Sequence, residues 1–373
     1  MKNKWNFSVS KVLMSSIAAL LAASGAYAIP PDPCNPPKQV CCEKPAPGPF
    51  AFAYEKDLGI SCPTNFYAEA ALLLMQPKEE GLEYAIENSS STNTGIFPLH
   101  DGDIDGYSTS NHHWDWNLGF RAGIGFTINH DAWNIDLKWT YLRLKDDTSD
   151  SIRGTGALIP LWLPPNVTVN QGVSASMRWS GDLNAFDLRL GKAFHVSRYL
   201  IMNPYFGIRA GWIDQRFTMR HFGNFLYGNY TTTDPEMDAE NDFWGVGTRI
   251  GFDSEWLLNG GWKLFANAAA AILYGKFDVK QQLALVSTQI DLHHEFYTHV
   301  PTLDLEIGIA WGIPFAEDKY YFDLALAYEF HEWFDQNRMR RFLDSSGAIA
   351  SNMAVPNGDL SFSGLSFKVG IDF

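Results

Sequence analysis

The sequence predicts an all-β fold, a transmembrane antiparallel up-and-down barrel of about ten strands. Three observations carry this: apolar and polar side chains alternate in runs too long for soluble strands, aromatics sit at the ends of the apolar faces, and connections alternate between short and long.

The alternation is clearest at Trp116, Leu118, Phe120, Ala122, Ile124, Phe126 and Ile128, interleaved with Asn117, Gly119, Arg121, Gly123, Gly125 and Thr127. Successive side chains of a strand point to opposite faces, so one face is apolar and the other small, polar or charged. The pattern returns from Trp133 to Tyr141, Phe186 to Gly191, Phe206 to Trp212, Trp244 to Phe252, Trp262 to Tyr274, Leu303 to Trp311, Tyr320 to Glu329 and Leu365 to Phe373. A tenth, weaker strand covers 66–75. Soluble sandwiches also alternate, but several of these runs exceed ten residues, the length a membrane strand needs. Trp116, Trp133, Tyr141, Trp212, Trp244, Trp262, Tyr274, Trp311, Tyr320 and Tyr328 mark the ends of the apolar faces, where interfacial girdles lie.

Short links are expected near 129–132, 197–203, 253–261 and 314–319, and long ones near 76–115, 144–182, 213–243, 277–302 and 335–361. Five long and four short links require ten strands with both ends on the short-turn side, which the barrel rule makes periplasmic. Twelve strands result if a long loop hides a hairpin. The long segments hold most of the acidic excess; 76–115 alone carries eight acids against Lys78.

Composition agrees with an exported barrel. Hydrophobic residues make up 46% of the chain and aromatics 14%, yet mean hydropathy is slightly negative, which excludes a bundle of membrane helices. Lys2, Lys4 and Lys11 form a basic start, Val12 to Ala23 a short apolar run, and Ala26-Tyr27-Ala28 a small-residue cleavage site. Residues 1–28 are therefore expected to be a signal peptide. Its loss leaves 25 basic residues against 42 acidic, a balance that argues against nucleic acid. Residues 29–63 form a Pro-rich leader bearing all four cysteines, Cys34, Cys41, Cys42 and Cys62. Export permits disulfides; adjacent Cys41 and Cys42 are poor partners for each other, and bridges to Cys34, Cys62 or another chain are the alternatives. The barrel is expected over 64–373.

On the inward face the alternation places Arg121, Asp136, Lys138, Asp187, Arg189, Arg209, Arg249, Asp304, Glu306, Asp323, Glu329 and Lys368. Facing lipid, each Arg or Lys at mid-depth would cost about 2–4 kcal/mol. Two readings follow: a charged channel lining that selects solutes, or a salt-bridge network that fills a narrow barrel. Ten strands lie near the closed end of the range, whereas inward glycines (Gly119, Gly123, Gly207, Gly211, Gly245, Gly247, Gly251) are expected to widen the lumen. His112-His113, His293-His294 and His299 lack metal-ligand spacing. Gly245-Val246-Gly247 and Gly123-Ile124-Gly125 lie in strands with no helix following, so they are not nucleotide loops. No catalytic set stands out; no enzyme activity, cofactor or metal is expected.

Asn65-Phe66-Tyr67-Ala68-Glu69-Ala70, Leu82-Glu83-Tyr84-Ala85, Phe120-Arg121-Ala122-Gly123-Ile124-Gly125-Phe126 and Trp133-Asn134-Ile135-Asp136-Leu137 resemble segments of the Legionella-type major outer membrane protein family, which also occurs in Chlamydia-related bacteria. The resemblance implies a pore-forming outer-membrane barrel, hence passive diffusion of small hydrophilic solutes or ions. The Cys-bearing leader suits the chlamydial branch, whose envelopes are held by disulfide-linked proteins. The alternative is a structural or adhesive protein with a plugged barrel, cross-linked through its N-terminal cysteines. Phe373, ending an alternating strand and the chain, resembles the signal read by the barrel-insertion machinery. Expected partners are outer-membrane lipid, that machinery, other envelope proteins through disulfides, and further copies of the chain.

Overall fold

The computed structural model describes residues 66–88, 102–105, 115–127, 133–151, 157–162, 167–227, 230–285, 288–316, 319–343, 352–354 and 358–373. The expected signal peptide, the leader with its four cysteines, and His112-His113 lie outside the described residues. Ten strands form the wall: β1 Phe66–Glu79, β2 Asn117–Thr127, β3 Trp133–Ser151, β4 Val167–Lys192, β5 Leu200–Tyr227, β6 Glu236–Leu257, β7 Trp262–Leu285, β8 Thr288–Phe315, β9 Tyr320–Asn337 and β10 Gly358–Asp372. Each pairs antiparallel with its sequence neighbours, and β10 pairs with β1, so the sheet closes on itself. The closing seam is continuous from Tyr67 opposite Asp372 to Glu79 opposite Leu360. At its lower end Phe373 N–H donates to the Phe66 carbonyl at 2.8 Å. Closure removes the sheet edges that would otherwise expose unpaired backbone groups.

The expected strand count, strand locations and short links stand. The extent of three long links does not. β4 has 26 residues, β5 28, β7 24 and β8 28, so much of 144–182, 213–243 and 277–302 is ladder rather than loop. Three short segments, Ala85–Asn88, Gly102–Asp105 and Ala157–Pro160, form a separate sheet from two of the connections. Arg341–Leu343 pairs with Asn352–Ala354 in the β9–β10 link. These hairpins do not join the wall, which stays at ten.

The length of the strands has a physical basis in an exchange of faces. In β5, Phe206 and Ile208 point outward at 56% and 51% exposure, while Arg209 points inward and is buried. Beyond Trp212 the alternation continues without a break, but its chemistry inverts: Ile213, Phe217 and Met219 are buried inside, and Asp214, Arg216 and Arg220 point out. β6 inverts between Trp244 and Phe243, and β7 beyond Tyr274, with Phe277 and Val279 inside and Lys276, Asp278 and Lys280 outside. The lower part of the wall is thus apolar outside and polar inside; the upper part has a water-facing outer surface and an apolar interior.

Candidate functional site

The candidate site is the lumen, built in two layers. The lower layer is ionic. Arg121, at the centre of β2, reaches across to β9 and holds Glu329 with two parallel bonds of 3.0 and 2.8 Å, while its Nε donates to Thr140 Oγ1 at 3.0 Å. Arg209 binds both oxygens of Asp187, at 2.7 and 2.9 Å, and also Asp304 at 2.8 Å. Arg249 pairs with the same Asp304. Arg189 binds Asp136 at 2.6 Å and Asp253 at 3.3 Å, with its guanidinium over the Tyr205 ring. Lys138 pairs with Glu69, and Lys368 with Glu306. His331 bridges two acids, Nδ1 to Asp304 Oδ1 at 2.7 Å and Nε2 to Glu329 Oε2 at 2.9 Å.

All twelve residues placed by the sequence on the inward face lie on the inner face. Eleven (Arg121, Asp136, Lys138, Asp187, Arg189, Arg209, Arg249, Asp304, Glu306, Glu329 and Lys368) belong to this network, whose open space is a cavity of about 80 Å³. Asp323 sits lower, packed against the backbone at Gly370. The sequence reading omitted Glu69, Asp253 and His331. His331 was findable, since it falls in phase with Glu329 on a strand whose inner face was already assigned; Glu69 lies on the weaker strand over 66–75, to which the alternation gave no face. Asp253 lies one residue beyond the last apolar position used to define β6.

Above the ions lies an apolar layer. Trp179, Phe217, Phe243, Phe277, Leu73, Met75 and Trp333 are all at most 1–2% exposed. Phe243 packs on Phe277 with ring centroids 4.7 Å apart and edge-on to Trp333 at 6.4 Å. Two connections fold inward to complete it. Gly81, with φ of 80°, turns the chain after β1 so that Leu82 and Tyr84 are buried; Trp162 follows, its Nε1 donating to the Glu83 carbonyl at 2.7 Å. Near the end of β9 the backbone breaks register between Trp333 and Asn337, and beyond it Met339 enters the core.

The expectation that inward glycines widen the lumen is corrected here. They accommodate large neighbours instead. A Cβ at Gly211 would lie 2.6 Å from the Trp333 ring, and one at Gly251 2.5 Å from the Tyr205 hydroxyl. At Gly123 it would fall 2.7 Å from Glu69, and at Gly119 2.2 Å from Leu142. At these four positions the space released by the missing side chain is filled by another, while at Gly207 and Gly247 the neighbouring backbone lies against the glycine.

Outside the barrel, Asp278, His293 and Glu295 place three potential ligand atoms close together on the outer face of β7 and β8. His293 Nε2 is 2.9 Å from Asp278 and 3.6 Å from Glu295, but Lys280 and Lys276 already pair with these acids at 3.2 and 2.8 Å. That arrangement is a surface ion-pair cluster.

A family profile described as the Legionella pneumophila major outer membrane protein precursor matches residues 61–373. The chain belongs to this family. It is accordingly an outer-membrane protein, and the match spans every wall strand. Among solved structures, the outer membrane protease OmpT of Escherichia coli is 10% identical, covering 84% of this chain and 97% of that one with a TM-score of 0.37. A FadL homologue of Pseudomonas aeruginosa is 8% identical, covering 86% and 95%, with a TM-score of 0.25. At these values neither likeness bears on the activity or cargo of this family barrel. No curated protein sequence matches the chain.

Proposed function

We propose that this family barrel is a closed, wall-forming protein of the outer membrane that works through its tall acidic outer part rather than as a permanently open channel. One observation carries the reading: two layers lie in series along the lumen, an ionic layer whose basic groups are held in ion pairs and a packed aromatic layer above it. A barrel of about eight strands is filled by its own side chains, whereas open channels use 16 or more. The rim with the four short turns and both described chain ends is read as periplasmic, following the barrel rule. The protein is read as non-enzymatic, since His331, in the ionic layer, is held between two carboxylates. Cys34, Cys41, Cys42 and Cys62 would anchor it to envelope partners or to further copies; migration on non-reducing gels should change on reduction if so.

The second reading is passive diffusion of small hydrophilic solutes or ions. The charged inner face of the lower half, with six basic side chains and seven carboxylates in one ring of pairs, favours it, but the aromatic layer would have to move aside. Planar-bilayer recording separates the two. The closed reading expects silent insertion of folded wild-type protein. Discrete conductance steps at low voltage would reverse it, and Arg121, Arg209 or Arg249 substitutions should then shift the reversal potential.

A further inference from the structure

The upper lumen holds four polar side chains that the apolar layer does not use: Glu79, Gln215, Asn241 and Gln336, each at 0% exposure. Both carboxylate oxygens of Glu79, both polar atoms of the Gln215 and Gln336 amides, and Asn241 Oδ1 have no hydrogen-bond partner. Unpaired buried polar atoms are expensive and call for an explanation one by one. The four belong together. Gln215 and Asn241 are direct cross-strand partners on the inner face of β5 and β6. Asn241 Nδ2 donates to the Gln336 backbone carbonyl at 2.8 Å, leaving Asn241 Oδ1 without a donor. Glu79 faces the Gln215 amide from β1, near enough for the amide to favour its carboxylate but outside full hydrogen-bond geometry.

The unpaired set contains five oxygens and two amide nitrogens, so it is rich in acceptors. The local charge is negative as well. The charges acting on Glu79 come from the acids Asp359 and Glu80. Lys78 turns outward to Glu80 at 3.4 Å, and the Arg338 guanidinium lies over the Phe277 and Phe296 rings. We propose that Glu79, Gln215, Asn241 and Gln336 form a buried oxygen-donor site for a divalent cation of the calcium class. Hard cations take carboxylate and amide oxygens, and flexible geometry with added water suits calcium better than magnesium. The absence of sulfur and imidazole from the set disfavours zinc-type ions. With one carboxylate, affinity belongs to the weak extracellular range. The competing occupant is a proton, because burial pushes the Glu79 carboxyl well above the usual range. The site is independent of whether the barrel conducts.

Terbium tests it. An ideal Cβ at Gly181 would lie 3.2 Å from the Trp179 ring and 4.0 Å from Gln215 Cγ, which puts an indole beside the site. Full-length refolded barrel in detergent should show saturable Trp-sensitised terbium emission, displaced by calcium. Glu79→Gln should weaken terbium binding at least tenfold, while Asp278→Asn with Glu295→Gln leaves it unchanged. Absence of emission, or emission indifferent to Glu79→Gln, overturns the proposal. So does loss in the surface double variant alone, which would locate the ion on the outer cluster. Should Glu79→Gln not fold, the wild-type protein decides: its thermal midpoint at neutral pH should rise by several degrees from EDTA to millimolar calcium, and an unchanged midpoint overturns the site.

Discussion

Asp242 stands directly opposite Asp214 across the β5–β6 ladder, on the outer face one step above Trp244. The row continues on both sides: Asp182 opposes Asp214, Asp278 opposes Asp242, and Glu295 opposes Asp278. Like charges in direct cross-strand register repel. Burial, then Asp214, pushes the Asp242 carboxyl up to about 6.

A raised carboxyl binds its proton more tightly in the fold than in the unfolded chain. Its cost is therefore absent below about pH 4, grows as pH rises towards 6, and is complete above that. Asp242→Asn should stabilise the barrel at pH 7 by about 1 kcal/mol, after discounting for solvent screening. Below about pH 4 the gain should vanish. Urea midpoints at the two pH values check this; an equal gain at both removes the ionic explanation.

His221 should show the opposite slope. It is buried inside β5, and desolvation lowers its imidazole to about 3. The unfolded chain then binds the extra proton, so stability is fully present above about pH 6.5 and is lost as pH falls towards 3. His221→Gln should flatten the acid limb of the stability curve over that window, measured by thermal midpoints between pH 4 and 7.

Arg209 binds two carboxylates from two strands. Arg209→Ala leaves Asp187 and Asp304 short of a cation, and breaking a buried pair on one side costs about 3–5 kcal/mol. Refolding yield and urea midpoint should both fall. A triple variant with Asp187→Asn and Asp304→Asn should recover part of the loss; no recovery would mean that Arg209 acts through packing, for instance against the Trp333 ring.

Gly211 and Trp333 form a tight crossing in the upper lumen. Gly211→Val should destabilise by about 1–3 kcal/mol through overpacking, because its Cβ position already lies 2.6 Å from the indole. Trp333→Ala should relieve the clash, so the double variant should be less destabilised than the sum of the singles. If the aromatic layer is the seal, Trp333→Ala should also conduct in planar bilayers where the wild type does not; a silent Trp333→Ala leaves the ionic layer as the barrier.

The wall was legible from sequence because bilayer contact writes a simple code. Phe120, Ile135, Ile208 and Val369 follow that code, and the lumen-facing charges follow from it by phase. The upper ladders were read as loops for a related reason. Past Trp212 the apolar residues move to the other phase, Ile213, Phe217 and Met219, while the outer positions become Asp214, Arg216 and Arg220. Searching for one continuous apolar face stops at the exchange although the strand does not. The filling of the lumen was not legible for a different reason. The contact of Gly211 with Trp333, or of Gly81 turning Leu82 inward, joins residues with no local signature of their meeting.

The exchange of faces at Trp212, Trp244 and Tyr274 also fixes how deep the molecule sits. A vertical slip outward would lift bare Ile208 and Val246 into water, and a slip inward would sink the row from Asp182 to Glu295 into hydrocarbon. Both displacements are opposed, so the barrel carries its own waterline, and a bilayer of different thickness must deform to meet it.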